Sequence, residues 1–226
     1  MRPFIAFIFF ALAAPIAAQS GPVVISELMW SGSTASTADE WIELYNVSDA
    51  AIDLAGWTLT YHSGDEEKVM FVFDAAVIPT GQTFLIANYA ADHKKSLLAV
   101  EPQRVDSAVS LPNTKLLVQL YDGDPQAGGQ LIDVADDGRG APFAGDSASK
   151  SAMVRIAFDQ PGDQPESWAT ATEQSGWDAG ASELGTPGSI PAYLLPDAGE
   201  AEAPERVMGT NISPMSWASI KEGLYP

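Results

Sequence analysis

The sequence contains no cysteine, which removes disulfides, thiolate nucleophiles and cysteine-held metals from any account of it. Cations are scarce: 11 Lys+Arg stand against 30 Asp+Glu, for a formal net charge of −19. Affinity for nucleic acid rests largely on cations that displace counterions from phosphates, and the one basic cluster is Lys94-Lys95, so direct DNA or RNA binding is not expected. A basic partner or a divalent cation suits such a field better. There are two histidines, His62 and His93, each in a hydrophilic stretch without a nearby His or Cys. A transition-metal centre or a catalytic triad has nothing to build on. Beyond the N-terminal segment, no apolar run approaches membrane-spanning length.

That segment reads Met1-Arg2-Pro3, an apolar run from Phe4 to Ala14, then small residues through Ala17-Ala18-Gln19-Ser20-Gly21. One cation, a short apolar core and a small-residue exit make residues 1–20 a secretory signal peptide, with cleavage after Ala18 or Ser20; an uncleaved anchor is the alternative. Without a following cysteine, a lipoprotein anchor is excluded. The expected location is therefore extracellular, at the cell surface or in the periplasm, with no transmembrane span in the mature chain.

Without disulfides, stability has to come from an ordinary core, and residues 21–191 are long enough to supply one. Short apolar runs alternate there with Gly, Pro, Asp and Ser clusters, and no long helical period occurs. This is the pattern of an all-β sandwich. Strands are expected at Val23–Trp30, Glu40–Asn46, Trp57–Tyr61, Lys68–Phe73, Thr83–Asn88, Lys115–Tyr121, Gln130–Val134 and Ala152–Ile156. Alternation puts Trp57, Leu59 and Tyr61 on the core face and Thr58 and Thr60 on the other. It likewise turns Ile42, Leu44, Leu116, Val118 and Leu120 inward, with Lys115 and Gln119 in water. Trp41, Glu43 and Tyr45 then share an outward parity. The turn residues Asp122-Gly123-Asp124-Pro125 and Gly128-Gly129 predict a hairpin between Tyr121 and Gln130.

The composition changes after Pro191. Residues 192–215 read as an acidic, polar linker unable to bury enough apolar surface to order itself. Residues 216–226 turn apolar again, with Trp217, Ile220 and Leu224 at one-helix-face spacing, the layout of a docking segment that orders on a partner.

Two motifs identify a relative. Glu40-Trp41-Ile42-Glu43-Leu44-Tyr45-Asn46, followed by Asp53-Leu54-Ala55-Gly56-Trp57-Thr58-Leu59, resembles the signature of the lamin tail domain family. Val23-Val24-Ile25-Ser26-Glu27-Leu28, Ile78-Pro79-Thr80-Gly81-Gln82, Leu131-Ile132-Asp133-Val134, Ser151-Ala152-Met153-Val154-Arg155 with Trp168-Ala169-Thr170, and Leu184-Gly185-Thr186-Pro187-Gly188-Ser189 resemble further landmarks of that family in the expected order. The resemblance spans Val23 to Ile190 and implies an immunoglobulin-like β-sandwich. For exported members it implies a cell-surface or secreted accessory role. It carries over no catalytic residues, and with no coiled-coil rod ahead of the domain it does not imply filament assembly.

The residues offer limited chemistry of their own. Ser147-Ala148-Ser149-Lys150 has serine-and-lysine-base spacing, but the companion Ser-Asp-Asn and Lys-Thr-Gly motifs are absent. Glu27 and Glu43 fall in strands expected to be neighbours, where two carboxylates could act as acid and base, share a cation, or simply accept structural hydrogen bonds. Asp122, Asp124, Asp136 and Asp137 lie near the two ends of one hairpin strand; hard oxygen ligands there suit calcium, although ordinary turn chemistry uses the same residues. Six tryptophans raise the prospect of a glycan-stacking face, with Trp41 and Tyr45 as its exposed aromatics. Asn46-Val47-Ser48 and Asn211-Ile212-Ser213 match the glycosylation pattern, with Asn46 better placed to hold a turn.

The expected function is a non-enzymatic exported module that binds or tethers a protein or envelope component, without a resident cofactor. A calcium-assisted carbohydrate-binding module is one alternative. A hydrolase using unrecognised carboxylates is another.

Overall fold

The computed structural model describes residues 21–195. The segment expected to be a signal peptide, nearly all of the expected acidic linker, Asn211, and Trp217, Ile220 and Leu224, expected to dock on a partner, lie outside the described residues. The chain divides at Leu194–Leu195, and every element below belongs to the first unit. Twelve strands form it: β1 (Val23–Met29), β2 (Trp41–Asn46), β3 (Ile52–Asp53), β4 (Thr58–Ser63), β5 (Glu66–Val72), β6 (Val77–Ile78), β7 (Thr83–Ala87), β8 (Arg104–Val105), β9 (Val118–Tyr121), β10 (Leu131–Ala135), β11 (Met153–Arg155) and β12 (Trp168–Thr170). They make a six-stranded sheet in the order β12-β11-β1-β2-β7-β8, a four-stranded sheet in the order β10-β9-β4-β5, and a small β3-β6 pair. No helix among the described residues is long and apolar enough to cross a membrane.

All eight expected strands are present, with ends shifted by up to three residues. The largest shift is at β9, which begins at Val118 because Lys115 takes a left-handed φ of +55° that no strand accommodates. The unforeseen strands β3, β6, β8 and β12 have two or three residues each, too few to show a period. The β9–β10 hairpin forms as the turn residues predict: Asp124 caps a 3-10 turn over Pro125–Ala127, and the Asp122 carboxylate receives the Gln130 N–H at 2.6 Å.

The main core lies between the two large sheets. Ile25, Ile42, Leu44 and Ile86 from one meet Leu59, Phe71, Val118 and Leu120 from the other. The far face of the six-stranded sheet is also covered. Met29, Trp41, Leu85, Ala87 and Val154 form a second apolar cluster there with Leu98, Ala171 and Trp177, and Leu97, Leu184 and Leu194 pack around it. Trp41 is therefore not an exposed aromatic but fully buried, its ring 6.0 Å from that of Trp177. Trp57 packs on the main core as its parity assigns but is only half-buried, whereas Thr58 and Thr60 of the adjoining β4 are fully buried. The ordered domain also runs past Pro191, since Ala192–Leu194 form a 3-10 turn and Leu194 packs on the second cluster.

A buried ion pair ties the layers together. Arg155 on β11 is fully buried with its guanidinium 3.4 Å from Asp133 on β10, and it also donates to the Ala157 carbonyl and lies over the Trp168 ring. Asp133 accepts the Ile25 N–H at 2.7 Å, where β1 departs from regular pairing with β2. The carboxylate thus satisfies a backbone donor that a bulge would leave orphaned.

Candidate functional site

Glu27 and Glu43 stand directly opposite each other across β1 and β2, on the face that carries the second cluster, and both are fully buried. Each is held by the closing turn. The Thr186 N–H donates to Glu27 Oε1 at 3.0 Å and the Thr186 hydroxyl to Oε2 at 2.8 Å. The Gly188 N–H donates to Glu43 Oε2 at 2.6 Å, and the Ser26 hydroxyl to Oε1 at 3.2 Å. Gly185 packs so closely that a Cβ there would sit 2.7 Å from Glu27 Oε1, at a φ of +147° that also favours glycine. The pair therefore pins a turn some 160 residues downstream onto the sheet.

These donors are all neutral, so burial goes uncompensated by a cation. Desolvation pushes Glu27 up to about 8 against the weaker opposing pull of Thr186. It raises Glu43 well above its ordinary value, with the Glu27 charge adding to the effect. Glu40, whose carboxylate receives the Leu111 N–H, is pushed up to about 8, again by burial. Two adjacent acids, both raised by burial and sealed under the closing turn, form a clamp on that turn rather than a dyad open to substrate.

An acid with a raised folded pKa contributes stability that is complete below about 4.5 and is lost as pH rises through the folded value. Melting temperature should therefore fall by roughly 5–10 °C between pH 5 and pH 8.5. Glu27→Gln/Glu43→Gln should flatten that slope; an unchanged slope would show that the pair is ionised in the folded protein.

The four aspartates expected to attract calcium are not gathered. Asp122 and Asp124 lie in the hairpin turn and Asp136 and Asp137 beyond the other end of β10, a strand of five residues or roughly 16 Å. Their oxygens are taken by backbone donors: Gln130 and Gln126 for the first two, Asp137 and Phe143 for Asp136, Arg139 for Asp137. Among the described residues no group of three or more His, Asp or Glu is arranged to hold a metal ion. Lys150 donates to the Ser31 carbonyl at 2.8 Å and is not placed as a base for Ser147. Asn46 is buried, its amide donating to Ala50 and Ile78, so it holds a turn as expected. His93 stacks on Tyr89 at 4.3 Å.

The outer face of the four-stranded sheet went unnoticed in the sequence. Cross-strand register places Leu131, Tyr121, Thr58 and Val72 in one row, and Val134, Gln119, Thr60 and Val69 in the next, with His62 and Glu67 beyond. Val69, Val72 and Leu131 are exposed. Thr60 donates to the Glu67 carboxylate at 2.8 Å, and His62 Nε2 is 3.2 Å from Gln119 Oε1. Burial first, and the Glu67 carboxylate second, push the Tyr121 hydroxyl up to about 12. Tyr121 is half-buried and stands opposite Thr58 across the β4–β9 pair.

His62 also lines an open groove of about 520 Å³ at the end of this face. The groove's walls carry Lys115 and Arg139 beside Asp65 and Asp137, at 3.6 and 4.0 Å, over a floor that includes Leu117. Lys115 and Asp136, two non-glycine residues with positive φ, frame it. Such backbone costs on the order of 1 kcal/mol each, and the buried Asp136 carboxylate fixes the turn that carries Arg139.

The Lamin Tail Domain family matches residues 16–138, more than half of the sequence. The chain belongs to the lamin tail domain family. Its two-layer β architecture is the immunoglobulin-like sandwich of that family, and here the lamin tail domain is completed by β11, β12 and the closing turn, all beyond residue 138. A search of the curated proteins finds no match. Among solved structures, a DUF4876 family protein from Bacteroides thetaiotaomicron VPI-5482 is similar at 11% identity over 77% of this chain and 75% of that chain, with a TM-score of 0.39. A likeness that distant carries no argument.

Proposed function

We propose that this lamin tail domain is a non-enzymatic binding or tethering module, exported from the cytoplasm and engaging a protein or an envelope component. The observation that carries the reading is the fate of its carboxylate pair: Glu27 and Glu43 are wholly buried and hydrogen-bonded to Thr186 and Gly188. A catalytic dyad has to reach its substrate, and this one is spent on closing the fold. Export rests on the order of cation, short apolar run and small residues at the N-terminus. Net charge of −19 argues against nucleic acid as the partner. Calcium supplied at the separated aspartate turns would assist binding only by stiffening them, and no step of the reading depends on it.

The test is a pull-down of the full chain against an envelope fraction, with parallel cell fractionation. Retention at the envelope and recovery outside the cytoplasm are expected. Turnover of any hydrolase substrate by purified protein, abolished in Glu27→Gln, would overturn the non-enzymatic reading. Omitting Trp217 by truncation after Met215 should weaken retention if the C-terminal segment docks; undiminished retention would place docking on the sandwich alone.

A further inference from the structure

We infer that the outer face of the four-stranded sheet, together with the groove at its end, is a binding site for a neutral oligosaccharide. The inference rests on the binding-module reading and names its ligand class. Three observations support it. Tyr121 is half-buried on the outer face, opposite Thr58 in the β4–β9 pair and next to the inward-facing Leu120, an aromatic side chain of the kind a sugar ring stacks on. Around it are Gln119, His62 and Glu67, an amide, an imidazole and a carboxylate already in mutual contact or in contact with Thr60. Side chains linked in this way are pre-oriented donors and acceptors for ring hydroxyls. The exposed Val69, Val72 and Leu131 give the face apolar margins that suit the C–H surfaces of a sugar.

Charge decides between ligand classes. The groove sets Lys115 and Arg139 against Asp65 and Asp137, two cations against two anions, within a chain of net charge −19. A polyanion meets repulsion from the whole molecule, and a polycation, though drawn by the overall charge, finds the groove's two carboxylates already paired to Lys115 and Arg139. A neutral polyol meets neither penalty and can exploit both signs: carboxylates accept from its hydroxyls, and the ammonium and guanidinium donate to its oxygens. A volume of about 520 Å³, continuous with the Tyr121 face through His62, has room for one or two sugar units beyond the one stacked on the ring. The site needs no calcium, because its hydrogen-bonding groups are supplied by side chains.

The full chain should be applied to an array holding neutral, acidic and aminated oligosaccharides, and each neutral hit titrated by calorimetry with and without EDTA. Binding to at least one neutral glycan, indifferent to EDTA, is expected. Tyr121→Ala should weaken it about tenfold or more, while Tyr121→Phe retains it. Arg139→Ala, at an exposed position that cannot threaten folding, should weaken it several-fold; it decides the matter if Tyr121→Ala melts early. Binding confined to acidic or aminated glycans, or neutral binding untouched by Arg139→Ala, overturns the assignment. Envelope retention without any glycan signal would sink this inference and leave the binding-module reading standing. Loss of both would sink the two together.

Discussion

Trp41→Ala is expected to destabilise the protein by about 3–5 kcal/mol, the cost of deleting a buried aromatic. Trp41 is fully buried in the second cluster, against Trp177 at 6.0 Å and among Leu85, Ala87 and Val154. Its truncation would open a cavity in the layer closed by a C-terminal strap, the segment from Ala171 to Leu194. Trp57→Ala should cost distinctly less, because Trp57 is half-buried at the rim of the main core. Urea unfolding of the two variants gives the comparison directly. Trp41→Phe should recover much of the loss, since the indole Nε1 of Trp41 finds no hydrogen-bond partner among the described residues and little is forfeited with it. A Trp41 variant as stable as the parent would mean that the strap does not seal this face in solution.

A comparable effect is expected at the ion pair between the sheets. Arg155→Met should cost about 3–5 kcal/mol, because it strips the guanidinium from the buried Asp133 and leaves an uncompensated carboxyl between the layers. Asp133 is already pushed up to about 6 by burial in spite of Arg155. Without that cation it should take up a proton near neutral pH, so the variant should regain stability as pH falls toward 5. The double variant Asp133→Asn/Arg155→Met should recover more than half of the loss, since the pair itself contributes little against its own desolvation. Additive losses in the double variant would instead show that the two side chains act through separate contacts.

The sequence made the β class legible through alternation in Trp57–Tyr61 and Lys115–Tyr121, through turn chemistry at Asp122–Asp124, and through the motifs around Glu40–Asn46 and Asp53–Leu59. It also made Glu27 and Glu43 legible as neighbours, because adjacent antiparallel strands bring such positions together. The pairs of residues in β3, β6 and β8 escaped because two residues carry no period. The Tyr121 face escaped for a different cause. It exists only once β4, β5, β9 and β10 are in register, and none of those pairings except the two hairpins is local in sequence.

Period-two alternation states which side chains share a face of a strand; it is silent on whether that face is covered. Trp41 and Glu43 have the outward parity the sequence assigns them, yet both are buried, because segments around Leu98 and from Ala171 to Leu194 fold back over the outer side of the sheet. The sequence by itself therefore determined eight of the twelve strands, their inward positions and the family. Only the tertiary structure decided that the candidate exposed aromatic Trp41 is core and that, of the readings open for Glu27 and Glu43, the two carboxylates clamp the closing turn. It also decided that the open face belongs to the other sheet, because coverage depends on contacts between residues far apart in the chain.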